Sequence, residues 1–251
     1  MNLPTLSAVF LLSLPMLLIG CQPTQNIAEQ PTSKIRLVVE ESNEIIELQE
    51  LAKQGDVEAQ ILLAKAYDEG KDVDQDSQKA FQWYQKAANQ GHSFAQYGLA
   101  WQYYIGNGVE QNYSKAFEWY EKAANQGVVD AEYNIGAMYY KGTGVQQDYS
   151  QAFEWYQKAA NKGMADAENE IGSMYHDGKG IQQNYSKAFE WFQKAANQGD
   201  TKAQYNLGVM YENGEGVSQD YQKAKVLFGQ VCDNDEQKGC DNYRILKEKG
   251  F

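Results

Sequence analysis

The sequence contains few of the residues on which most enzyme chemistry depends. Its 251 residues include 2 histidines and 3 cysteines, whereas histidine is the usual proton shuttle and a common metal ligand near neutral pH. The motifs H-E-x-x-H, G-x-S-x-G and S-x-x-K, which mark zinc peptidases, α/β-hydrolases and serine β-lactamases, do not occur. We therefore expect no catalytic residue, no metal site and no cofactor.

Runs of basic residues are also lacking, and 22 Lys and Arg against 34 Asp and Glu give a net charge of −12. An acidic chain repels phosphate backbones, so nucleic acid is not an expected partner. Proteins, peptides and glycans remain possible partners. A content of 43% hydrophobic residues is enough for a folded core, and a mean hydropathy of −0.66 excludes a protein with many membrane spans.

The first twenty residues differ from the rest because they carry no charged side chain and are mostly apolar from Leu6 to Ile19. This length suits a signal peptide and is short of the ~20 apolar residues of a spanning helix. The segment ends in Leu18-Ile19-Gly20-Cys21. This ending resembles the bacterial lipobox, in which the cysteine is acylated and becomes the new N-terminus.

We therefore predict a lipoprotein signal peptide over residues 1–20 and a lipid anchor on Cys21. By resemblance to enterobacterial lipoproteins, Gln22 in place of Asp favours the outer membrane, with the protein facing the periplasm. An ordinary secretory signal or a membrane anchor with an incidental cysteine is the alternative, since residues 1–20 lack the usual Lys or Arg. Residues 21–43 show no helical period and are predicted to be a tether. Their apolar stretch, 35–39, is expected to pack on the neighbouring domain, with a short strand or a partner contact as alternatives.

Two cysteines remain in the exported part of the chain, Cys232 and Cys240. An even number of cysteines in an oxidising compartment favours a disulfide. Metal binding by this pair is the alternative, although no histidine or third cysteine lies nearby in the sequence.

A period of 36 residues dominates the rest of the chain. Four columns of glycine and one of tryptophan keep this spacing, and the glycine columns hold 18 of the 22 glycines. The columns are Gly55, Gly91, Gly127, Gly163 and Gly199; Gly70, Gly106, Gly142, Gly178, Gly214 and Gly250; Gly108, Gly144, Gly180 and Gly216; Gly136, Gly172 and Gly208; and Trp83, Trp119, Trp155 and Trp191. Such a register indicates stacked structural repeats.

Each unit divides into two stretches with helical periodicity. In the first, Ala131, Ile135 and Met138 follow the i, i+4, i+7 spacing of an amphipathic helix. A left-handed C-terminal cap is expected at Gly142.

The second stretch, YSQAFEWYQKAAN, is predicted to follow an N-cap at Asp148, whose column contains only Asp or Asn. It should bury one face formed by Ala152, Trp155, Tyr156 and Ala159. Because a single helical hairpin cannot bury its aromatic face alone, the hairpins are predicted to stack into an α-solenoid.

The pattern A-x-x-x-[LI]-G-x-x-Y, followed by G-x-G-V, D-Y-x-x-A-x-x-W and K-A-A-x-x-G, resembles the SEL-one-like repeat, a relative of the tetratricopeptide repeat. The resemblance covers residues 44–251 and implies an all-α, right-handed superhelical solenoid of about five hairpins with a C-terminal capping helix. The expected units are 55–90, 91–126, 127–162, 163–198 and 199–234, with the cap at 235–251. Cysteine-rich members of this family carry C-x7-C pairs like that of Cys232 and Cys240.

Two places depart from the repeat pattern. In the first unit Lys71 and Asp72 replace the residue and glycine found in later loops, which predicts a different loop there. Near the C-terminus, Arg244 and Lys247 fall in the columns of Gly208 and Tyr211, as suits a terminal helix that faces water.

By resemblance to tetratricopeptide arrays, the first helices line a concave face, and the positions opposite their apolar stripe contact a ligand. Aromatic side chains fill these positions mainly in units two and three. The predicted ligand surface is Tyr97, Trp101, Tyr104, Tyr133, Tyr140 and Tyr205. Such side chains suit extended peptides or glycan rings. The alternative is that some of them pack between neighbouring first helices.

Together these features predict a non-catalytic, membrane-anchored module that binds or scaffolds a protein or peptide of the cell envelope. A hydrolase acting on cell-wall or β-lactam substrates is one alternative. A secreted or surface factor that faces a host is the other.

Overall fold

The computed structural model describes residues 43–251, so the predicted signal peptide, Cys21, the tether up to residue 42 and the stretch 35–39 lie outside the described residues. This part of the chain consists of α-helices without strands. The helices are α1 (Asn43–Lys53), α2 (Val57–Glu69), α3 (Ser77–Asn89), α4 (Ser93–Ile105), α5 (Tyr113–Asn125), α6 (Val129–Lys141), α7 (Tyr149–Asn161), α8 (Ala165–Asp177), α9 (Tyr185–Asn197), α10 (Thr201–Asn213), α11 (Tyr221–Asp233) and α12 (Gln237–Glu248). None of them is long and apolar enough to cross a bilayer.

Each helix packs mainly on the helices before and after it in the chain. Five hairpins, from α2–α3 to α10–α11, are flanked by the single helices α1 and α12. At the C-terminal end Leu246 is buried against Ala224 and Phe228, whereas Arg244 and Lys247 are exposed. The described residues therefore form an all-α solenoid with a water-facing terminal helix.

The two predicted caps are confirmed. Gly142 ends α6 in the left-handed conformation, with φ 70°, and its N–H donates to the Met138 carbonyl. Asp148 accepts a hydrogen bond from the Gln151 N–H at 3.0 Å at the start of α7. The same side-chain cap begins each of the other second helices, at Asp76, Asn112, Asn184 and Asp220.

The core of the second helices is confirmed in part. Ala152, Tyr156 and Ala159 are buried, but Trp155 is only half-buried, so its predicted burial is wrong. Trp155 packs against the core cluster, but the Lys158 ammonium lies 3.4 Å from the centre of its ring, so one face of the indole receives a cation. The same arrangement recurs at Lys86–Trp83, Lys122–Trp119 and Lys194–Trp191.

The expected difference in the first loop is also wrong. Asp72 adopts φ 61°, and Gly108 in the same column of the next unit adopts φ 71°, so both loops turn in the left-handed sense. A Cβ at Gly108 would lie 2.0 Å from the Ser77 carbonyl oxygen, at the start of the preceding second helix. Within the described residues no hairpin precedes the loop of Asp72, so a side chain is sterically tolerated there.

Candidate interaction surface

Polar side chains 37 residues apart join the first helices of successive units, and we call these pairs the first-helix ladder. Each pair links a side chain of one first helix to the next first helix along the array. Hydrogen bonds join Asn169 with Asn206 at 2.9 Å and Tyr205 with Asn242 at 3.3 Å, and Tyr97 lies beside Asn134 in the same two columns. Tyr133 holds the same column, and burial together with the nearby Glu170 carboxylate raises the pKa of Tyr133 to about 12.

The rings of the ladder tyrosines also pack within their own hairpins. Tyr97 lies 5.6 Å from Tyr120, Tyr133 lies 5.4 Å from Tyr156, and Tyr205 lies 5.5 Å from Phe228, measured between ring centres. All three are half-buried. These predicted ligand residues therefore already make structural contacts within and between units.

Tyr140 takes part in a second kind of link between units. Its hydroxyl accepts a hydrogen bond from Lys179 at 2.8 Å, and its ring meets that of Tyr149 edge-on. One period later, His176 Nε2 lies 3.0 Å from a Glu215 carboxylate oxygen, and Nδ1 lies 3.0 Å from Asp177. Sequence reasoning missed this role because it depends on side chains 39 residues apart.

The first-helix ladder is interrupted between α2 and α4. Ile61 and Gly98 hold the two columns there, and neither side chain can form the polar link. A groove of about 340 Å³ lies beside them, and we call it the α2–α4 groove. At its floor, a Cβ on Gly98 would stand 2.8 Å from the Tyr84 ring. The missing side chain thus lets the ring of Tyr84, which is buried, pack closely against the α4 backbone.

One wall of this groove carries exposed aromatic side chains. Phe94 is 63% exposed and Trp101 is 42% exposed, and both line the groove. Trp101 stacks on Tyr104, with ring centres 5.9 Å apart and planes 13° apart. Ile105 is also exposed. The unit-two residues Tyr97, Trp101 and Tyr104 of the predicted surface thus lie on one helix, while Tyr133, Tyr140 and Tyr205 lie on α6 and α10.

These exposed apolar residues are particular to α4. No residue of α4 is charged, whereas the Phe94 column continues with Asp130, Asp166 and Lys202. The Trp101 column continues with small or aliphatic residues, and the Ile105 column with polar ones. The repeat fold does not need large apolar groups at these positions. The missed residues Phe94 and Ile105 could have been found from this contrast between columns.

Gln102 is a further exception in its column, which holds Met138, Met174 and Met210 in later units. It is 1% exposed and lines the α2–α4 groove. Its Nε2 donates to Asp68 at 3.2 Å, but its Oε1 has no hydrogen-bond partner among the described residues. Leaving a buried acceptor unpaired typically costs about 1–3 kcal/mol.

Cys232 and Cys240 lie at the far end of the array. The structure joins them as a disulfide pair between α11 and α12, with Cα atoms 4.5 Å apart. Over residues 43–251 no group of three or more His, Cys, Asp or Glu side chains is arranged to hold a metal ion.

The stacked hairpins and their shared caps define a helical-repeat solenoid over residues 43–251. Five Sel1 repeats match residues 57–92, 93–128, 129–164, 165–200 and 201–235. The chain belongs to the Sel1 repeat family. Sel1-repeat proteins generally mediate protein–protein interactions, and their fold is typically a non-catalytic scaffold.

Solved structures agree with this assignment. A Sel1 repeat protein from Oxalobacter formigenes is 32% identical, with a TM-score of 0.69 over 76% of this chain and 84% of that protein. The c5321 protein, a protective antigen present in uropathogenic Escherichia coli strains, is 32% identical with a TM-score of 0.52. The match covers 82% of this chain but only 52% of c5321. A Sel1 repeat protein from Klebsiella pneumoniae is 28% identical, with a TM-score of 0.50 over 81% of this chain and 99% of that protein. A comparison with curated proteins finds no match.

Proposed function

We propose that this protein is a non-catalytic scaffolding or binding module of the cell envelope. It is held at the outer membrane by lipid on Cys21, faces the periplasm, and binds an extended segment of a partner protein on its first helices. The observation that carries this proposal is the uncharged helix α4, with Phe94 and Trp101 exposed beside a groove. Exposed aromatic clusters of this kind are typical of protein-binding surfaces.

A role at the cell surface towards a host is a second candidate. It is supported by the similarity to c5321, which is a protective antigen. The two candidates share the binding surface and differ only in where the partner lies. Protease treatment of intact cells separates them, because a surface-exposed solenoid is degraded and a periplasmic one is protected.

The anchor is tested by labelling with a fatty-acid analogue. Wild-type protein should be labelled and should fractionate with the outer membrane. Cys21→Ser should abolish both the label and the fractionation. Stable anchoring requires more than one acyl chain, and acylation of this cysteine supplies them. An unlabelled wild-type protein released by osmotic shock would contradict the proposed location.

The binding surface is tested by photocrosslinking from position 94 in cells, followed by affinity measurement with the captured partner. Trp101→Ala should weaken binding by about 2 kcal/mol, the size of an aromatic hot spot. The fold should be kept, because Trp101 is 42% exposed. Lys141→Ala on α6 is the control and should retain binding. Crosslinks formed instead from the second helices, at Lys158 or Lys194, would move the site to the other face.

A further inference from the structure

Three independent features of the α2–α4 groove distinguish it from the equivalent places between later units. The two ladder columns hold Ile61 and Gly98 there, whereas both hold polar residues between all later units. A buried acceptor, Gln102 Oε1, is unpaired among the described residues although its side chain lines the groove. Large apolar side chains stand exposed at its mouth.

The size of the groove limits what it can hold. Its volume of about 340 Å³ is at the lower end of the range of about 300–1,000 Å³ that is usual for small-molecule sites. Such a space accommodates one large side chain with part of its backbone. The unpaired Gln102 oxygen is itself buried, so it can accept a hydrogen bond from a peptide N–H or an indole N–H once its side chain turns toward the groove.

The charge around the groove selects among peptides. Asp68 lines it, and Glu69 follows in the sequence. Burial is the main cause that raises the pKa of Tyr84, and these two carboxylates raise it further. Their negative potential therefore reaches the floor of the groove. The one cation of the lining is Lys65, which is exposed. A partner segment with a positive charge is therefore favoured electrostatically.

We propose that the α2–α4 groove receives one large apolar side chain of a partner polypeptide that carries Lys or Arg beside it. This inference rests on the proposed function as a binding module and narrows it to a single site and a sequence class. The apolar side chain packs between Phe94 and Trp101, while the neighbouring cation lies near Asp68.

The test uses the purified full chain and a displayed library of random 12-residue peptides. Selected peptides should share a Trp, Phe, Leu or Met with a Lys or Arg within two residues. Gly98→Asn places in the groove the residue found at Asn134 and Asn206 of the same column. It should weaken a selected peptide at least tenfold in calorimetric titration, with helical content unchanged. Glu170→Asn, which puts the same residue in the same column of unit four, is the matched control and should leave affinity within twofold.

A second variant keeps the test independent of packing changes at position 98. Asp68→Asn retains the oxygen that accepts from Gln102 and Asn107 but removes the charge. It should weaken the peptide three- to tenfold at low salt and reduce the salt dependence of binding.

The outcomes separate this inference from the broader function. The assignment of the groove is overturned if the selected peptides bind equally well to wild type and Gly98→Asn. It is also overturned if they lack a basic residue and bind Asp68→Asn as tightly as wild type. If such peptides are instead lost on mutation of Tyr133 or Tyr140, the binding function stands at another site. A library that yields no binder to the folded chain contradicts both.

Discussion

Gly144 lies against the backbone of Tyr113, so closely that a Cβ atom at position 144 would stand 2.6 Å from the Tyr113 carbonyl carbon. Gly144 belongs to the loop of one hairpin, and Tyr113 begins the second helix of the preceding hairpin. The same approach recurs at Gly108, Gly180 and Gly216. This glycine column therefore serves contact between units as well as the turn itself.

The stability of Gly144→Ala tests this contact. The residue has φ 76°, so alanine should cost about 1 kcal/mol for the left-handed backbone and a further 1–3 kcal/mol for the steric clash. Gly163→Ala is the matched control, because Gly163 has φ 87° but nothing within 4 Å of a Cβ. It should lose only about 1 kcal/mol. Urea unfolding of both variants gives the difference, and equal losses would show that the loop contact adds nothing.

Most of the fold could be predicted from the sequence because its signals are local and repeated five times. The left-handed glycine at 142 and the N-cap at Asp148 follow from backbone geometry alone, and the period fixes which residues share a column. The error at Trp155 arose because periodicity shows which face of a helix a residue lies on but not what fraction of a large side chain is buried. The error at Asp72 has another cause: the strict need for glycine in this column comes from contact with the preceding hairpin, and a sequence column does not show this contact.

The site was less accessible to such reasoning. Trp101 and Tyr104 were found by helical projection, but the projection also selected Tyr97, Tyr133 and Tyr205, whose hydroxyls or rings are engaged within the array. Pairing between units depends on spacings of 37 and 39 residues, which single-helix patterns do not contain. The groove itself results from the absence of polar side chains at Ile61 and Gly98. It is recognised only when residues of one first helix are compared with the residues that face them on the next first helix.

The pH dependence of stability should reveal the link made by His176. Burial opposes its protonation, but hydrogen bonds to Asp177 and Glu215 outweigh this effect and hold the pKa of His176 above its ordinary value of 6.5. A histidine with a raised folded-state pKa stabilises the fold below pH 6.5, and this contribution is lost as the pH rises through the folded-state pKa.

Wild type should therefore lose stability relative to His176→Gln as the pH rises from about 6 to about 8.5. The quantity to measure is the difference between their free energies of unfolding. The change should be roughly 0.5 kcal/mol, since the side chain of His176 is 33% exposed and exposed pairs are weak. Glu215→Gln should lower the pKa of the imidazole in an NMR titration. An unchanged titration in that variant would show that the contact to Glu215 does not form in solution.

The Cys232–Cys240 pair should be oxidised in the exported protein and should act locally. In the chain-entropy model, closing a nine-residue loop contributes about 2.5 kcal/mol. Because repeats contact only their neighbours, reduction should speed hydrogen exchange in α12 and the end of α11 and leave α4 to α8 unchanged. The double variant Cys232→Ser, Cys240→Ser should behave like the reduced protein. Two alkylatable thiols in native protein would contradict this prediction.

Replacing Gln102 by methionine should stabilise the fold while damaging binding. Methionine is the residue of this column at 138, 174 and 210, so its shape suits the site. The substitution removes a buried oxygen without a partner in the described structure, and Asp68 keeps its hydrogen bond from Asn107 at 2.9 Å. We expect the free energy of unfolding to rise by about 1 kcal/mol in urea titrations.

The reverse change, Met138→Gln, supplies the control. It buries a new amide among apolar side chains, since Met138 is 1% exposed, and should lower the free energy of unfolding by about 2 kcal/mol. If Gln102→Met is instead destabilising, the Gln102 oxygen has a partner in solution, and its amide is part of the core. If it stabilises the protein and weakens a peptide selected against wild type, the stability lost at position 102 is linked directly to recognition in the α2–α4 groove.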